Sequence, residues 1–96
     1  MYKQFTTPTI TIQLEGAEET LAAADEVILT ARAGQVTIDK QALVTGDSVS
    51  ATFSQLETAR LNGTVSFEVT IRAGDTIVKS DTVKADFEPA VRQAKL

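Results

Sequence analysis

The residues of this chain with the means to do chemistry are its carboxylates, and their spacing decides what that chemistry could be. The 96-residue sequence carries 13 Asp and Glu, 9 Lys and Arg, and no His or Cys. Without His it lacks the commonest general base and the commonest metal ligand. Without Cys it lacks a thiolate nucleophile, a thiolate metal site and a disulfide framework, and it can fold in a reducing compartment. The remaining machinery would be two carboxylates facing each other across a cleft, as in a small glycoside-active enzyme. Asp25 and Glu26 are sequence neighbours, and neighbours on a strand point to opposite faces. Asp39, Asp47, Asp75 and Asp81 fall at expected turns or strand ends, where Asp bonds the local backbone. A calcium loop wants several oxygens in one run, as in Asp-x-Asp-x-Asp-Gly, and none occurs. Gly-x-Ser-x-Gly and glycine-rich phosphate loops are missing too. The residues assign no catalytic, cofactor-binding or metal-binding position, and the expectation is a protein that is not an enzyme.

Function must then reside in surfaces, and the strands decide which surfaces exist. Thr64 to Arg72 alternates strictly, with Val65, Phe67, Val69 and Ile71 on one parity and Thr64, Ser66, Glu68, Thr70 and Arg72 on the other. Alternation of this kind buries one side of a strand and wets the other, which is the habit of an antiparallel sheet packed on a second layer. Pro8 to Leu14 repeats the pattern with Ile10, Ile12 and Leu14 inward, and Pro8 places it at an edge because proline cannot donate to a ladder. Glu15 to Ala24 is rich in helix formers and reads as a loop or a short helical turn. Glu26 to Ala33 alternates with Val27, Leu29 and Ala31 inward, while Ile28 puts a large apolar side chain on the wet parity. Gly34 turns the chain into Gln35 to Asp39, Leu43 and Val44 form a short link, and Thr45-Gly46-Asp47 is a turn. Ser48 to Phe53 follows as a strand. Ser54-Gln55-Leu56-Glu57 has the spacing of a capping box, so one or two helical turns run on through Leu61 and close at Asn62-Gly63. After Ala73-Gly74-Asp75 a last strand spans Thr76 to Phe87 with Ile77, Val83, Ala85 and Phe87 on one parity. Lys79 and Asp81 interrupt that face and imply a bulge or a protruding hairpin end. Glu88-Pro89 stops the strand.

Size and composition agree with one domain over 1–96, with flexible termini at 1–6 and 88–96. Hydrophobic residues make up 43% and charged residues 23%, which suits a globular chain and is too apolar for a disordered one. The first residues, Met1 to Phe5, lack the apolar run of a signal peptide, and no stretch reaches membrane-spanning length, so a cytoplasmic origin is expected. A net charge of −4 with scattered Lys and Arg argues against nucleic acid as a partner. The acidic excess is local, since Glu15, Glu18, Glu19, Asp25 and Glu26 share a stretch without a base, and it reads as a solvated loop. Six to seven short strands, regular turn signals and one short crossover helix describe an all-β antiparallel sandwich.

Three stretches taken together resemble small proteins of phages and prophages of Gram-positive bacteria. They are Thr6-Thr7-Pro8-Thr9-Ile10-Thr11, then Ala24-Asp25-Glu26-Val27-Ile28-Leu29-Thr30-Ala31-Arg32, then Val49-Ser50-Ala51-Thr52-Phe53-Ser54-Gln55-Leu56-Glu57-Thr58 followed by Gly63 and the Val65 to Arg72 strand. The resemblance implies an immunoglobulin-like sandwich akin to the N-terminal module of baseplate and tail-associated proteins. It implies a tail or baseplate structural or assembly role, made in the host cytoplasm and carried into the virion. It carries no functional residue over to this chain. The sequence departs from the pattern at Ile28, where an aromatic is common, and after Asp86.

The residue reading supplies its own interaction surface: Ile28 on the wet parity, Tyr2 and Phe5 ahead of the first strand, and strand edges at Pro8 to Leu14 and Gln35 to Asp39. The expected partner is a protein, either a second copy or another phage structural protein, with no nucleic acid, membrane, small-molecule substrate or cofactor. The alternative is a generic immunoglobulin-like binding or adhesion module. The Trp and tyrosine corner usual in such domains are absent. A sugar-reading role for the Thr- and Ser-rich outer positions lacks aromatic residues for stacking.

Overall fold

A computed structural model describes residues 2–80 and 82–90. The strands, in chain order, are β1 (Tyr2–Lys3), β2 (Thr9–Gln13), β3 (Glu26–Ala33), β4 (Val36–Gln41), β5 (Leu43–Thr45), β6 (Ser48–Thr52), β7 (Gly63–Ala73), β8 (Thr76–Lys79) and β9 (Val83–Glu88). Two short helices, α1 (Glu18–Ala22) and α2 (Gln55–Thr58), join β2 to β3 and β6 to β7. The larger sheet runs β1-β9-β7-β3-β4 with β8 also on β7, and the smaller runs β2-β6-β5. The two sheets stack as a sandwich around one core.

The strict alternation of β7 makes it the spine. Val65, Phe67, Val69 and Ile71 are buried, and β3 and β9 pair along its two sides. Phe53 and Phe67 meet edge to face with centroids 6.1 Å apart, and Phe67 lies 6.5 Å from Phe87. Leu29, Val49 and Leu61 complete the fully buried centre. Two-residue loops close β3–β4 at Gly34-Gln35 and β7–β8 at Gly74-Asp75. Only the glycine of each loop has positive φ, near +60°, which is the type II′ arrangement that matches strand twist.

The structure corrects several expectations. The described residues hold nine strands and two helices, where six to seven strands and one helix were expected. The sandwich is mixed, because β1 pairs parallel to β9, with Tyr2 opposite Phe87. Leu43 and Val44 belong to a strand, β5. The chain leaves the large sheet at Ala42, whose N–H still donates to Val27 O at 3.0 Å, and enters the small sheet at the next residue. Ile77 does not share the inner face of Val83 and Phe87. Thr70 pairs with Lys79 while Phe67 pairs with Val83, so the edge chain carries one residue more than β7 over this interval. That bulge inverts the parity: Val78 takes the inner face opposite Ile71, and Ile77 lies outside opposite Arg72. Ser80 anchors the break, donating its N–H to Val69 O and accepting the Val69 N–H on its hydroxyl, both at 2.9 Å. The expectations for Asp81 and for most of the 88–96 terminus lie outside the described residues.

Candidate functional site

Strand register brings the polar parity of β4, β3, β7 and β9 onto one outer face, where Thr37, Arg32, Ser66 and Lys84 stand in a cross-strand row. The face is a shallow concavity of about 1040 Å³, lined also by Thr30, Thr64 and Glu68. Its carboxylates are engaged. Thr30 Oγ1 donates to Asp39 at 2.6 Å, Thr64 Oγ1 donates to Asp86 at 3.2 Å, and Lys79 Nζ pairs with Glu68 at 3.3 Å. Arg32 donates to Gly34 O at 3.4 Å, and neither it nor Lys84 has a carboxylate partner among the described residues.

Asp25 and Glu26 share one cationic partner. Both are exposed and both turn to Arg72, at 3.8 and 3.7 Å, and Asp25 also accepts the Gly74 N–H at 2.6 Å. Their work is to tie the start of β3 to the β7–β8 hairpin. The Ser54 capping box forms as its spacing dictates. Glu57 N–H donates to Ser54 Oγ at 3.2 Å, and Ser54 N–H donates to Glu57 Oε1 at 2.8 Å. Lys40 adds what spacing alone did not reveal. It pairs with Leu29 on the inner parity of edge strand β4, so its ammonium reaches over the sandwich rim to Glu57 Oε1 at 2.8 Å and over the Phe53 ring at 5.9 Å. The signal was available, because Lys40 continues the parity of Val36 and Ile38.

Burial pushes the Glu57 carboxyl up, but the Lys40 hydrogen bond, the Ser54 N–H and the Lys40 charge together outweigh it and hold the group below its usual value. A depressed carboxyl contributes stability above its unfolded pKa and loses it as pH falls through the folded pKa. The stability gap between wild type and Lys40→Met should therefore be widest near neutral pH and narrow on acidification through about pH 5 to 3. Urea melts across that range check it, and a gap that widens on acidification contradicts the assignment.

The three expected surface residues do not converge. Ile28 lies half-buried on the outer face between Gln41 and Thr70. Tyr2 folds back onto Phe87, rings stacked at 5.1 Å. Phe5 is half-buried at the turn after β1, with φ of 59°. The large apolar side chains left exposed lie elsewhere, on strands at the sandwich margins: Leu43 and Val44 on β5, Ile77 and Val78 on β8, Val83 on β9, with Leu56 on α2. Leu43 is 75% and Ile77 61% exposed. Among the described residues no helix is long and apolar enough to cross a membrane, and no cluster of three acidic residues is placed to hold a metal. Comparison of the chain with protein-family models, with curated proteins and with solved structures finds no match in any of the three.

Proposed function

We propose that this chain is a non-enzymatic structural or assembly protein that docks on other protein through its sandwich margins, in the setting its sequence resemblance implies, a phage or prophage tail or baseplate. The observation that supports the reading is the placement of exposed apolar side chains. Among the described residues, five of the six large ones are on β5, β8 and β9, toward the sandwich margins, and one is on α2. Large apolar side chains left exposed along a margin offer area for another protein to bury. The immunoglobulin-like character of the sandwich belongs to the same proposal. It draws support from connections that cross between the sheets, directly from β4 to β5 and through α2 from β6 to β7.

The test is to induce the source prophage, sediment the particles and measure this chain in them by mass spectrometry. A fixed ratio to tail proteins is the expected result, and recovery only in the soluble fraction overturns the virion role. That second outcome favours a free binding module. The feature pointing that way is the concave outer face, with Arg32 and Lys84 open to an acidic ligand.

A further inference from the structure

The five sheet margins formed by the described residues are not equally guarded. Strand β1 is two residues long and β5 three. Strand β4 carries Asp39 and the inward-turned Lys40, and β8 ends in Lys79 at the bulge. Each is a device that keeps an edge from pairing with another chain. Strand β2 has none. Thr9–Gln13 is five residues long, regular and uncharged, and its proline stands ahead of the strand.

Its open side can be read from the ladder. Phe53 N–H donates to Pro8 O at 3.0 Å and Leu14 N–H donates to Asp47 O at 2.7 Å, so the even-numbered residues of this strand bond to β6. The main-chain groups of Thr9, Thr11 and Gln13 point the other way, and no described residue takes them up. A second feature lies on the same side. Because β5 follows β4 after a single residue, β5 sits over the β4 side of the large sheet and β2 over the side of β8 and β9. There Val78 and Val83 face inward yet are each 46% exposed, at the end of the inner layer that the three-stranded sheet leaves open.

We propose that the occupant of this edge is β2 of a second copy, paired antiparallel about a two-fold axis at Thr11. The inference rests on the reading of the chain as a docking protein and names its first partner. Thr11 N–H and C=O exchange bonds with the partner's Thr11, and Thr9 and Gln13 do so with the partner's Gln13 and Thr9. The strand suits itself. Its sequence Thr-Ile-Thr-Ile-Gln sets Ile10 opposite the partner's Ile12 on the inner face and polar side chains opposite polar ones outside, with no like charges brought together. The two small sheets become one sheet of six strands, and Val78 and Val83 of both copies flank the new seam.

Sedimentation across a concentration series should show the wild type reaching twice its 10.3 kDa mass, with slowed amide exchange at Thr9, Thr11 and Gln13. Thr11 is exposed on the outer face, so Thr11→Lys and Thr11→Glu each leave the melt of the monomer unchanged. Each variant alone places like charges across the axis and weakens association at least about tenfold. Mixing the two restores a dimer of one Lys and one Glu variant. A wild type that stays monomeric throughout leaves the edge to a different chain and overturns self-pairing. Variants that associate as readily alone as mixed overturn the register. Neither outcome touches the particle experiment, which tests the docking role separately.

Discussion

Replacing Phe67 with Ala costs this protein about 3–5 kcal/mol of stability in urea melts. Phe67 is 1% exposed at the middle of the longest strand, with Phe53 edge-on at 6.1 Å and Phe87 tilted at 6.5 Å. It is the ring through which the residue after β6, spine strand β7 and strand β9 touch. Truncation removes its own burial and leaves a void, because neighbours anchored in two sheets cannot close in. The next residue supplies the control. Glu68 lies on the outer parity, and its bond to Lys79 Nζ is 3.3 Å long between side chains that are 37% and 59% exposed. Glu68→Ala should cost less than about 0.5 kcal/mol, since exposed pairs contribute little. The ratio between two adjacent substitutions reads the strand's facing directly. Equal effects at both positions would contradict the packing described.

The contrast between these neighbours was legible in the sequence because β7 keeps an unbroken period of two for its whole length. The same logic failed on the following strand for a physical reason. Period two carries the facing forward only while every residue advances the ladder by one step, and the bulge between β8 and β9 adds a residue that does not. Lys79 in the apolar parity was the visible trace of that break. The inversion of Ile77 and Val78 is its consequence. The β4–β5 passage was hidden differently: a strand that changes sheets at Ala42 keeps extended backbone throughout, so nothing local separates it from a link. Strand β1 was beyond reach because two residues have no period, and its parallel pairing with β9 joins the two ends of the described chain.

For the surface, Pro8 correctly placed β2 at an edge, and the capping box correctly placed Glu57 beside Ser54. Ile28, Tyr2 and Phe5 were chosen by residue type, yet the fold leaves each of them half-buried and puts them in different parts of the molecule. The exposure of the inward-facing Val78 and Val83 arises from the mismatch between a large sheet and a three-stranded one. That mismatch is a property of topology, and no window of sequence contains it.

Topology also explains the second large effect, at Thr58. It is the only buried polar residue among those described, fully enclosed at 0% exposure. Its hydroxyl donates to Thr6 O at 2.8 Å and accepts the Thr6 N–H at 3.0 Å, with Gln55 O a longer neighbour at 3.2 Å. Both main-chain groups of one residue in the β1–β2 connection are thus held by one side chain of α2. The clasp has something to hold, because the preceding Phe5 is the one non-glycine described residue with positive φ, a conformation disfavoured for a bulky side chain. Gln4 Nε2, donating to Ala59 O at 2.9 Å, ties the other side of Phe5 to the same helix end. Thr58→Val keeps the volume and removes the hydroxyl, leaving the Thr6 N–H and C=O without that partner beside a strained residue. The expected loss is about 2 kcal/mol, with Thr58→Ser recovering most of it. Amide exchange supplies the readout that separates a clasp from plain core packing. In the Val variant exchange at Thr6 rises well above the global unfolding rate while Phe67 and Val69 follow the global change, whereas a packing defect would move all three together.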